Sequence, residues 1–541
     1  MKKLLSSLLC LALLVGLTAC GGSSRDNTLI RVAVGGDTAF LDPAVVDDSI
    51  TSNVLEQMYD RLYKLDKDGN PVADIAKDAP KVSADGLTYT IKLNKGRTWS
   101  DGQEIKASDF VYAWKRASAM GTATSYYSQF VNFIEGANKT GKALKSMDKL
   151  KDFNVKADDA KGTITIKLAK KCAYFAQLLT HTIFTPVRKD AVEKDGGNPL
   201  KSNWADRTDI PTTGAFTATA INAKDEIVLT KNDKYYDADK VQIKTISFKV
   251  MSDSESQTNG FQAGELDFAT ACNVKTILSN DELKAAAYAI DPFVCNYFML
   301  VNAGNENTRK ELKDVDIRKA ISMGINRENM LKAIGYGEYA YALEKFVPKG
   351  IPGANRDFNE EVKDPYATYN KEEAQKIMTS KGYNEKNMLK LTYTYNDLPM
   401  HKAAAESMQA SLKEVYVDLQ LKQEEKETFF NHRDAGEFEV CRHAMTADFL
   451  DPMAYLSMYY GDVAGNTVDD AEYEKLVNAG EKSSGADRMN KLHKAEEYLV
   501  KEKAYVIPLF GYTDPNLKAT DLEGVTSSPE GHYNLTRAYY K

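Results

Sequence analysis

Apolar and polar residues alternate with a period of two in three short stretches of the first third of the chain. These stretches run from Leu29 to Val34, from Thr88 to Leu93 and from Thr163 to Leu168. Successive side chains of a strand point to opposite faces, so this period predicts β-strands with one buried face.

A helical period separates the second and third of these strands. Ser108 and Asp109 suit the start of a helix, because a carboxylate favours the positive end of the helix dipole. The apolar residues that follow at spacings of three and four are Phe110, Ala113, Trp114 and Ala117. Helices and strands therefore alternate in the first half of the chain.

The second half has two further helical patterns. Ile317, Ala320, Ile321 and Gly324 share one helical face, and Asn326 is the expected cap of a next helix that carries Met330 and Ile334. Further on, the helical face of Ala405, Met408, Leu412 and Val415 leads directly into an alternating strand, 417–421. A helix that passes directly into a strand is typical of α/β lobes.

The first residues have the pattern of an export signal. Lys2 and Lys3 precede an apolar run that ends near Leu17, too short to be retained as a membrane-spanning helix. Cys20 comes shortly after this run and is itself followed by small, flexible residues, as in bacterial lipoprotein signals. We expect residues 1–19 to be removed, Cys20 to carry lipid and residues 20–28 to form a flexible tether. The alternative is an ordinary export signal that contains a cysteine.

Composition indicates a globular protein outside the membrane bilayer, with 43% hydrophobic and 27% charged residues. About 520 residues remain after cleavage, which is too many for one core and predicts two or three lobes. Loss of Lys2 and Lys3 changes the net charge from −7 to about −9, which disfavours nucleic acid as a partner.

Candidate catalytic and metal-binding motifs are weak. The cysteines have no C-x-x-C spacing, the six histidines form no His-x-x-x-His pair, and no Gly-x-Ser-x-Gly motif occurs. The stretch from Gly136 to Ala143 has the spacing of a phosphate loop, but Ala143 replaces the hydroxyl that binds magnesium. We therefore predict no enzyme activity, no metal and no cofactor, although paired carboxylates leave an exported hydrolase conceivable.

Several motifs along the chain match those of one known family. The most specific is Trp99-Ser100-Asp101-Gly102 continuing into the stretch 109–116. The others are Leu41-Asp42-Pro43, residues 59–63, Thr213-Gly214-Ala215-Phe216, residues 232–236, 263–267 and 316–321, and the stretch from Thr446 to Pro452. Together, and in their order along the chain, these motifs resemble the peptide-binding family of ABC-transporter solute receptors.

The resemblance implies a two-lobed α/β clamp of the periplasmic-binding-protein type, a Venus flytrap, with an additional domain in the first lobe. The expected lobe-one segments are 29–60, 186–272 and 506–541, with the extra domain at 61–185 and lobe two at 273–505. A ligand would be bound between the lobes.

The same resemblance implies the roles of several residues. Asp448 matches the acceptor of a peptide ammonium, and Arg442 and His401 match groups that bind the peptide carboxylate. Two further sets match strand-like segments that pair with the ligand backbone, namely Asp47, Asp48 and Ser49, and Ala444, Met445 and Thr446.

Two departures from a well-known family member concern this site. Met445 replaces a tryptophan of the cleft, so the preference for ligand side chains should differ. Cys295 matches half of a disulfide whose partner position is Thr446 here, so that bridge is not expected. Pairing of Cys295 with Cys441 or Cys272 stays open.

The sequence therefore predicts a lipid-anchored, monomeric receptor on the outer face of the cytoplasmic membrane, at the cell surface or in a periplasm. It would capture short peptides and deliver them to ABC permease subunits. The alternatives are the same clamp with another solute, such as a nickel chelate, haem or an oligosaccharide, and a receptor that senses peptide without importing it.

Overall fold

The computed structural model describes residues 25–541 except 39–40, 47, 67–68, 122–132, 306–307 and 460–466. The predicted signal segment, Cys20 and Asp47 therefore lie outside the described residues. Within these ranges, no helix is both long and apolar enough to cross a membrane.

The strands are listed first, in chain order. They are β1 (Leu29–Val34), β2 (Tyr63–Leu65), β3 (Pro71–Ala73), β4 (Lys81–Val82), β5 (Thr88–Lys92), β6 (Val155–Asp158), β7 (Thr163–Lys167), β8 (Phe216–Asn222), β9 (Glu226–Lys231), β10 (Thr245–Val250), β11 (Phe268–Ala269), β12 (Ala287–Tyr288), β13 (Cys295–Val301), β14 (Ala340–Ala342), β15 (Leu389–Asn396), β16 (Val417–Glu424), β17 (Val440–Thr446), β18 (Val506–Tyr512), β19 (Asn516–Lys518), β20 (Leu522–Glu523), β21 (Thr526–Ser527), β22 (Tyr533–Asn534) and β23 (Tyr539–Tyr540).

The α-helices follow in the same order. They are α1 (Ser49–Met58), α2 (Ala107–Met120), α3 (Phe175–Leu178), α4 (Lys189–Val192), α5 (Ser254–Gln262), α6 (Val274–Ser279), α7 (Asp281–Ala286), α8 (Val315–Gly324), α9 (Arg327–Ile334), α10 (Phe358–Glu361), α11 (Lys371–Ser380), α12 (Pro399–Lys413), α13 (Lys426–Asp434), α14 (Met453–Leu456), α15 (Ala471–Glu481) and α16 (Gly485–Glu497).

The first lobe is built on a mixed sheet with the strand order β12-β19-β11-β1-β10-β9-β8. Strand β1 is central and pairs in parallel with both β10 and β11. Ile30, Val32 and Val34 share one buried face, and Ala33 on the opposite face is also buried, so the strand is covered on both faces at that point.

The second lobe is built on a sheet with the order β14-β18-β13-β17-β15-β16. Every residue of β13 is buried. Tyr297 and Met299 pack into a core formed within the second lobe, whereas Phe298 and Leu300 pack into a core shared with the first lobe. This alternation places β17, the neighbour of β13, at the junction of the lobes.

A third sheet, β4-β5-β7-β6, lies with α2 in the region predicted as an extra domain. The predicted strands at 88–93 and 163–168 are β5 and β7, which pair antiparallel. Trp114 of α2 is fully buried, and its indole donates to the carbonyl of Phe184 at 2.9 Å.

The strand order corrects two predicted domain boundaries. Val506–Tyr512, predicted in the first lobe, is β18 and lies between β14 and β13 in the second sheet. The segment 273–288, predicted in the second lobe, contributes β12 to the first sheet and packs Ile277 and Leu283 against that sheet. The second lobe therefore contains the strands from β13 to β18.

The predicted helix signals of the second lobe are confirmed. Asn326 caps α9, accepting the backbone N–H of Asn329 at 3.0 Å. Helix α12 ends at Lys413, and the chain enters β16 at Val417, with Val415 fully buried between them.

Candidate functional site

Strand β17 has one edge that is paired along its length and one that is largely open. Its pairing with β13 runs from Val440 to Thr446. On the other side, β15 pairs with β17 only at Val440 and Cys441. Ala444, Met445 and Thr446 are each half-buried. Among the described strands, the backbone from Arg442 onward thus has no second partner, and an added strand could pair there.

Asp448 lies just beyond the end of this strand. The backbone N–H of Ala447 donates to the carbonyl of Val294 at 3.1 Å, which holds the segment against β13. Phe449 stacks on Tyr174 of the extra domain, with 4.6 Å between ring centroids. Asp448 is half-buried and lies at the junction of the lobes.

A buried ion pair fixes the segment that follows Asp448. The guanidinium of Arg488 donates to both carboxylate oxygens of Asp451, at 2.6 and 2.7 Å, and both side chains are buried. A paired, doubly hydrogen-bonded arrangement has a defined geometry. The position of Asp448 therefore depends on the contact between Asp451 and α16.

Arg442 is a buried cation without a counter-charge in the described part of the chain. It is 7% exposed, and no carboxylate oxygen of the described residues lies within 4.0 Å of it. Its Nε donates to the side-chain oxygen of Asn396 at 2.7 Å. The rings of Phe429 and Phe430 lie 5.1 and 5.5 Å away. A buried cation with so little compensation favours an anionic ligand.

His401 is in the same region as Arg442. It lies on α12, is 3% exposed and has no hydrogen-bond partner for Nδ1 among the described residues. Burial and, to a smaller extent, the charge of Arg442 lower the pKa of His401 to about 3. The imidazole is therefore neutral at pH 7 and can donate one hydrogen bond and accept another.

Asp48 and Ser49, expected in a strand-like segment that pairs with the ligand backbone, lie at the start of a helix. Asp48 is the N-cap of α1, and its carboxylate accepts the N–H of Thr51 at 2.7 Å. The backbone of Asp48 is extended, whereas Ser49 is the first residue of that helix and not part of a strand. Capping competes with strand formation, and here the cap forms.

The open question about Cys295 is answered by the strand register. Cys295 faces Thr446 across the β13–β17 ladder, and Cys441 faces Leu300. Cys172, Cys272, Cys295 and Cys441 are all free thiols. Burial raises the pKa of the Cys295 thiol to about 12, so it is protonated and unreactive at neutral pH.

Sequence reasoning missed a cavity of about 740 Å³ in the first lobe. We call it the C-terminal cavity, because the segment 525–537 forms one side of it and α1 another. Gln57 of α1 joins these sides, with its amide donating to the carbonyl of Tyr533 and accepting the N–H of Leu535, both at 2.8 Å. The cavity residues come from distant parts of the chain, so no local spacing indicates them.

The charged residues of the C-terminal cavity include Glu56, Arg61 and Glu530. Arg61 forms an ion pair with Glu56. Burial, together with the charges of Asp448 and Glu56, raises the pKa of Glu530 well above its ordinary value. Val294 connects the cavity to the end of β17, because its N–H donates to the carbonyl of Pro529 and its carbonyl accepts the N–H of Ala447, both at 3.1 Å.

No group of three or more His, Cys, Asp or Glu residues suited to a metal ion occurs within the described ranges. The site instead combines an open strand edge, a carboxylate at one end and a buried cation at the other. Two α/β lobes with such a site between them define a two-lobed binding protein.

Comparison with known proteins identifies the family. The profile of the bacterial extracellular solute-binding proteins, family 5, matches residues 70–467. The chain belongs to this family.

Relatives of similar length include oligopeptide-binding proteins. The oligopeptide-binding protein OppA of Bacillus subtilis is 28% identical over 525 residues, covering 96% of this chain and 94% of the relative. The periplasmic OppA of Escherichia coli is 28% identical over 532 residues, with coverage of 96% and 93%.

Solved structures share the fold. Peptide-bound OppA of Listeria monocytogenes has a TM-score of 0.76 at 23% identity, covering 95% of this chain and 99% of that one. The pheromone receptor PrgZ has a TM-score of 0.76 at 25% identity, with coverage of 95% and 100%. The clamp with mixed α/β lobes expected from the sequence is thereby confirmed.

Proposed function

We propose that this protein binds short peptides between its lobes and delivers them to the permease of an ABC importer. In the proposed complex, the peptide backbone pairs with Ala444, Met445 and Thr446, Asp448 accepts the ammonium, and Arg442 with His401 binds the carboxylate. The observation that carries the proposal is the open edge of β17, with a carboxylate at one end and an uncompensated buried cation at the other.

The spacing of the two charged ends suggests the length of the ligand. Asp448 follows Arg442 by six positions, which corresponds to about 20 Å of extended chain. If both side chains turn toward the ligand, extended peptides of about three to five residues fit this span.

The low specificity of backbone pairing suits an importer of mixed peptides. Main-chain hydrogen bonds are the same for every sequence, whereas ligand side chains need only hydrated space. The thioether of Met445 adapts to irregular shapes, which supports broad acceptance of side chains. The relatives named oligopeptide-binding proteins support the same cargo.

The proposal extends to location. Cys20, lipidated after signal cleavage, would tether the protein to the outer face of the cytoplasmic membrane. Two or more acyl chains hold a protein durably, since each buried methylene contributes about 0.8 kcal/mol. A Cys20→Ser variant that still incorporates labelled palmitate would contradict the anchor.

The ammonium role is tested with Asp448→Asn. Calorimetric titration should show that a free-amine tripeptide binds at least tenfold more weakly, while its N-acetylated form changes little. Asp469→Asn, a change of an exposed carboxylate, is the control and should leave both affinities unaltered. Equal weakening of both peptides would count against the role of Asp448.

Peptide sensing without import is a second candidate, favoured by the structural likeness to a protein described as a pheromone receptor. Uptake of a labelled tripeptide distinguishes the two. Deletion of the gene should abolish uptake if the protein serves an importer, and unchanged uptake with intact binding would favour a sensor.

A further inference from the structure

Glu530 is an isolated carboxylate in the C-terminal cavity. It is half-buried and lines the cavity. No cationic nitrogen of the described residues lies within 4.0 Å of it. An unpaired carboxylate in such a place is unfavourable in its charged form, unless a cation enters beside it.

Three other carboxylates of the cavity have such cations. Glu56 is paired with Arg61. Asp60 and Asp74 both contact Arg97, at 3.0 and 2.9 Å. Each of these three carboxylates therefore has an arginine partner within the protein.

The histidines of the cavity do not supply charge to Glu530. Burial is the largest cause that lowers the pKa of His181, to about 3, and burial also lowers the pKa of His532. Both imidazoles are therefore neutral at pH 7. Among the described groups of the cavity, the charge of Arg61 acts on Glu530 and lowers its pKa, but Arg61 is more than 4.0 Å away and already forms an ion pair with Glu56.

Other polar groups at the cavity also lack partners. The side chain of Tyr533 is 2% exposed, and its hydroxyl has no hydrogen-bond partner in the described structure. Arg61 is 5% exposed, and its Nε and Nη1 are likewise without partners there. Both residues line the cavity. Buried polar groups are normally hydrogen-bonded, so these unpaired atoms favour a bound ligand, or water that a ligand would displace, as their partner.

The position of Glu530 relates it to the amino-terminal residue of the proposed peptide. Val294 hydrogen-bonds to both Pro529 and Ala447, the residues that precede Glu530 and Asp448, so an ammonium bound at Asp448 would bring the first Cα of a peptide close to the cavity. The first side chain leaves from that same Cα. Tyr59, Tyr235 and Tyr236 also line the cavity and offer apolar surface to a long aliphatic stem.

We propose that the C-terminal cavity receives the first side chain of the peptide and that Glu530 selects a basic one, lysine or arginine. This inference rests on the proposed function, because it assumes that Asp448 binds the ammonium. It assigns a specificity-determining role to a residue of the last segment of the chain.

The test compares two tripeptides that differ only in the first side chain. Lys-Ala-Ala carries a charge, whereas norleucine-Ala-Ala has a stem of similar length without it. Calorimetric titration of ligand-free protein should show at least a tenfold preference for Lys-Ala-Ala. Glu530→Gln should abolish that preference and leave the affinity for norleucine-Ala-Ala within about twofold. Glu523→Gln is the matched control and should retain the preference, because Glu523 is a half-buried carboxylate that is paired with Lys541.

The outcomes separate this inference from the proposed function. Equal binding of both peptides by the wild type would overturn the inference while leaving peptide binding intact, and it requires no variant to fold. Equal weakening of both by Glu530→Gln would also overturn it. A dependence on Glu530 for Ala-Lys-Ala but not for Lys-Ala-Ala would refute the first-residue assignment. Failure of every free-amine peptide to bind would instead reject the proposed function.

Discussion

Replacement of Arg442 by methionine should weaken peptide binding while leaving the free energy of unfolding of the ligand-free protein almost unchanged. Arg442 is buried, has one hydrogen bond to Asn396 and has no carboxylate within 4.0 Å in the described structure. If it binds the peptide carboxylate, its loss removes one member of a buried charged pair. Such a loss costs about 2–5 kcal/mol, so the Kd of a tripeptide should rise at least about 30-fold.

The same change should not weaken the ligand-free protein. A buried cation costs several kcal/mol in desolvation, which Asn396 and the rings of Phe429 and Phe430 offset only in part. Methionine fills similar volume without that cost. We therefore expect the unfolding free energy of Arg442→Met to be no more than about 0.5 kcal/mol below that of the wild type.

The assay is thermal unfolding with and without tripeptide, combined with titration calorimetry. Arg433→Met is the control, because Arg433 lies nearby and has its own carboxylate partner, Asp434, at 2.7 Å. A C-terminally amidated tripeptide should bind Arg442→Met and the wild type with similar affinity. Loss of stability without a selective effect on the free carboxylate would refute the reasoning and make Arg442 a structural residue.

Two further predictions concern buried carboxylates. Glu496 is fully buried, accepts the N–H groups of Phe346 and Val347, and has its pKa raised by burial to about 7. The protonated carboxyl therefore contributes its full stability to the folded state below pH 4.5, and this contribution is lost as pH rises through 7. In thermal unfolding, Glu496→Gln should increase the free energy of unfolding at pH 8 by up to about 3 kcal/mol and should give no increase at pH 4.5. An equal effect of the substitution at both pH values would contradict this. Asp451→Asn leaves Arg488 buried without its ion pair and should cost about 3–5 kcal/mol, whereas adding Arg488→Met should restore part of the loss; no recovery in the double variant would contradict the ion-pair account.

Individual helices and strands were predictable where the pattern lies within one short stretch of sequence. The alternation at 29–34 predicts β1, and the amide of Asn326 predicts the start of α9, because both depend only on neighbouring residues. The transition from α12 to β16 follows from a change of period within a few residues. Such patterns record which face of an element is buried.

Assignment of strands to lobes was less predictable. Val506–Tyr512 is apolar and buried, as a strand of either sheet would be, so its period does not reveal its partner. Ser49 was expected in a strand, but the local competition is decided by the cap that Asp48 provides. Pairing between distant segments depends on packing that local sequence does not encode.

The candidate site was predictable only along β17 and its neighbours. Arg442 and Asp448 lie on one continuous stretch whose motif resembles the family, and His401 is brought near Arg442 by α12. Glu530 joins the site from the end of the chain, and no spacing relates it to Asp448. The hydrogen bonds of Val294 to Pro529 and Ala447, which bring these distant segments together, exist only in the folded chain.

The central claim is that a peptide adds to the open edge of β17. A crystal structure of the protein with Lys-Ala-Ala tests it most directly. We predict an extended peptide whose backbone hydrogen-bonds to Ala444 and Thr446, with its ammonium at Asp448 and its carboxylate toward Arg442. A peptide bound away from β17, or one that runs in the opposite direction, would contradict the account.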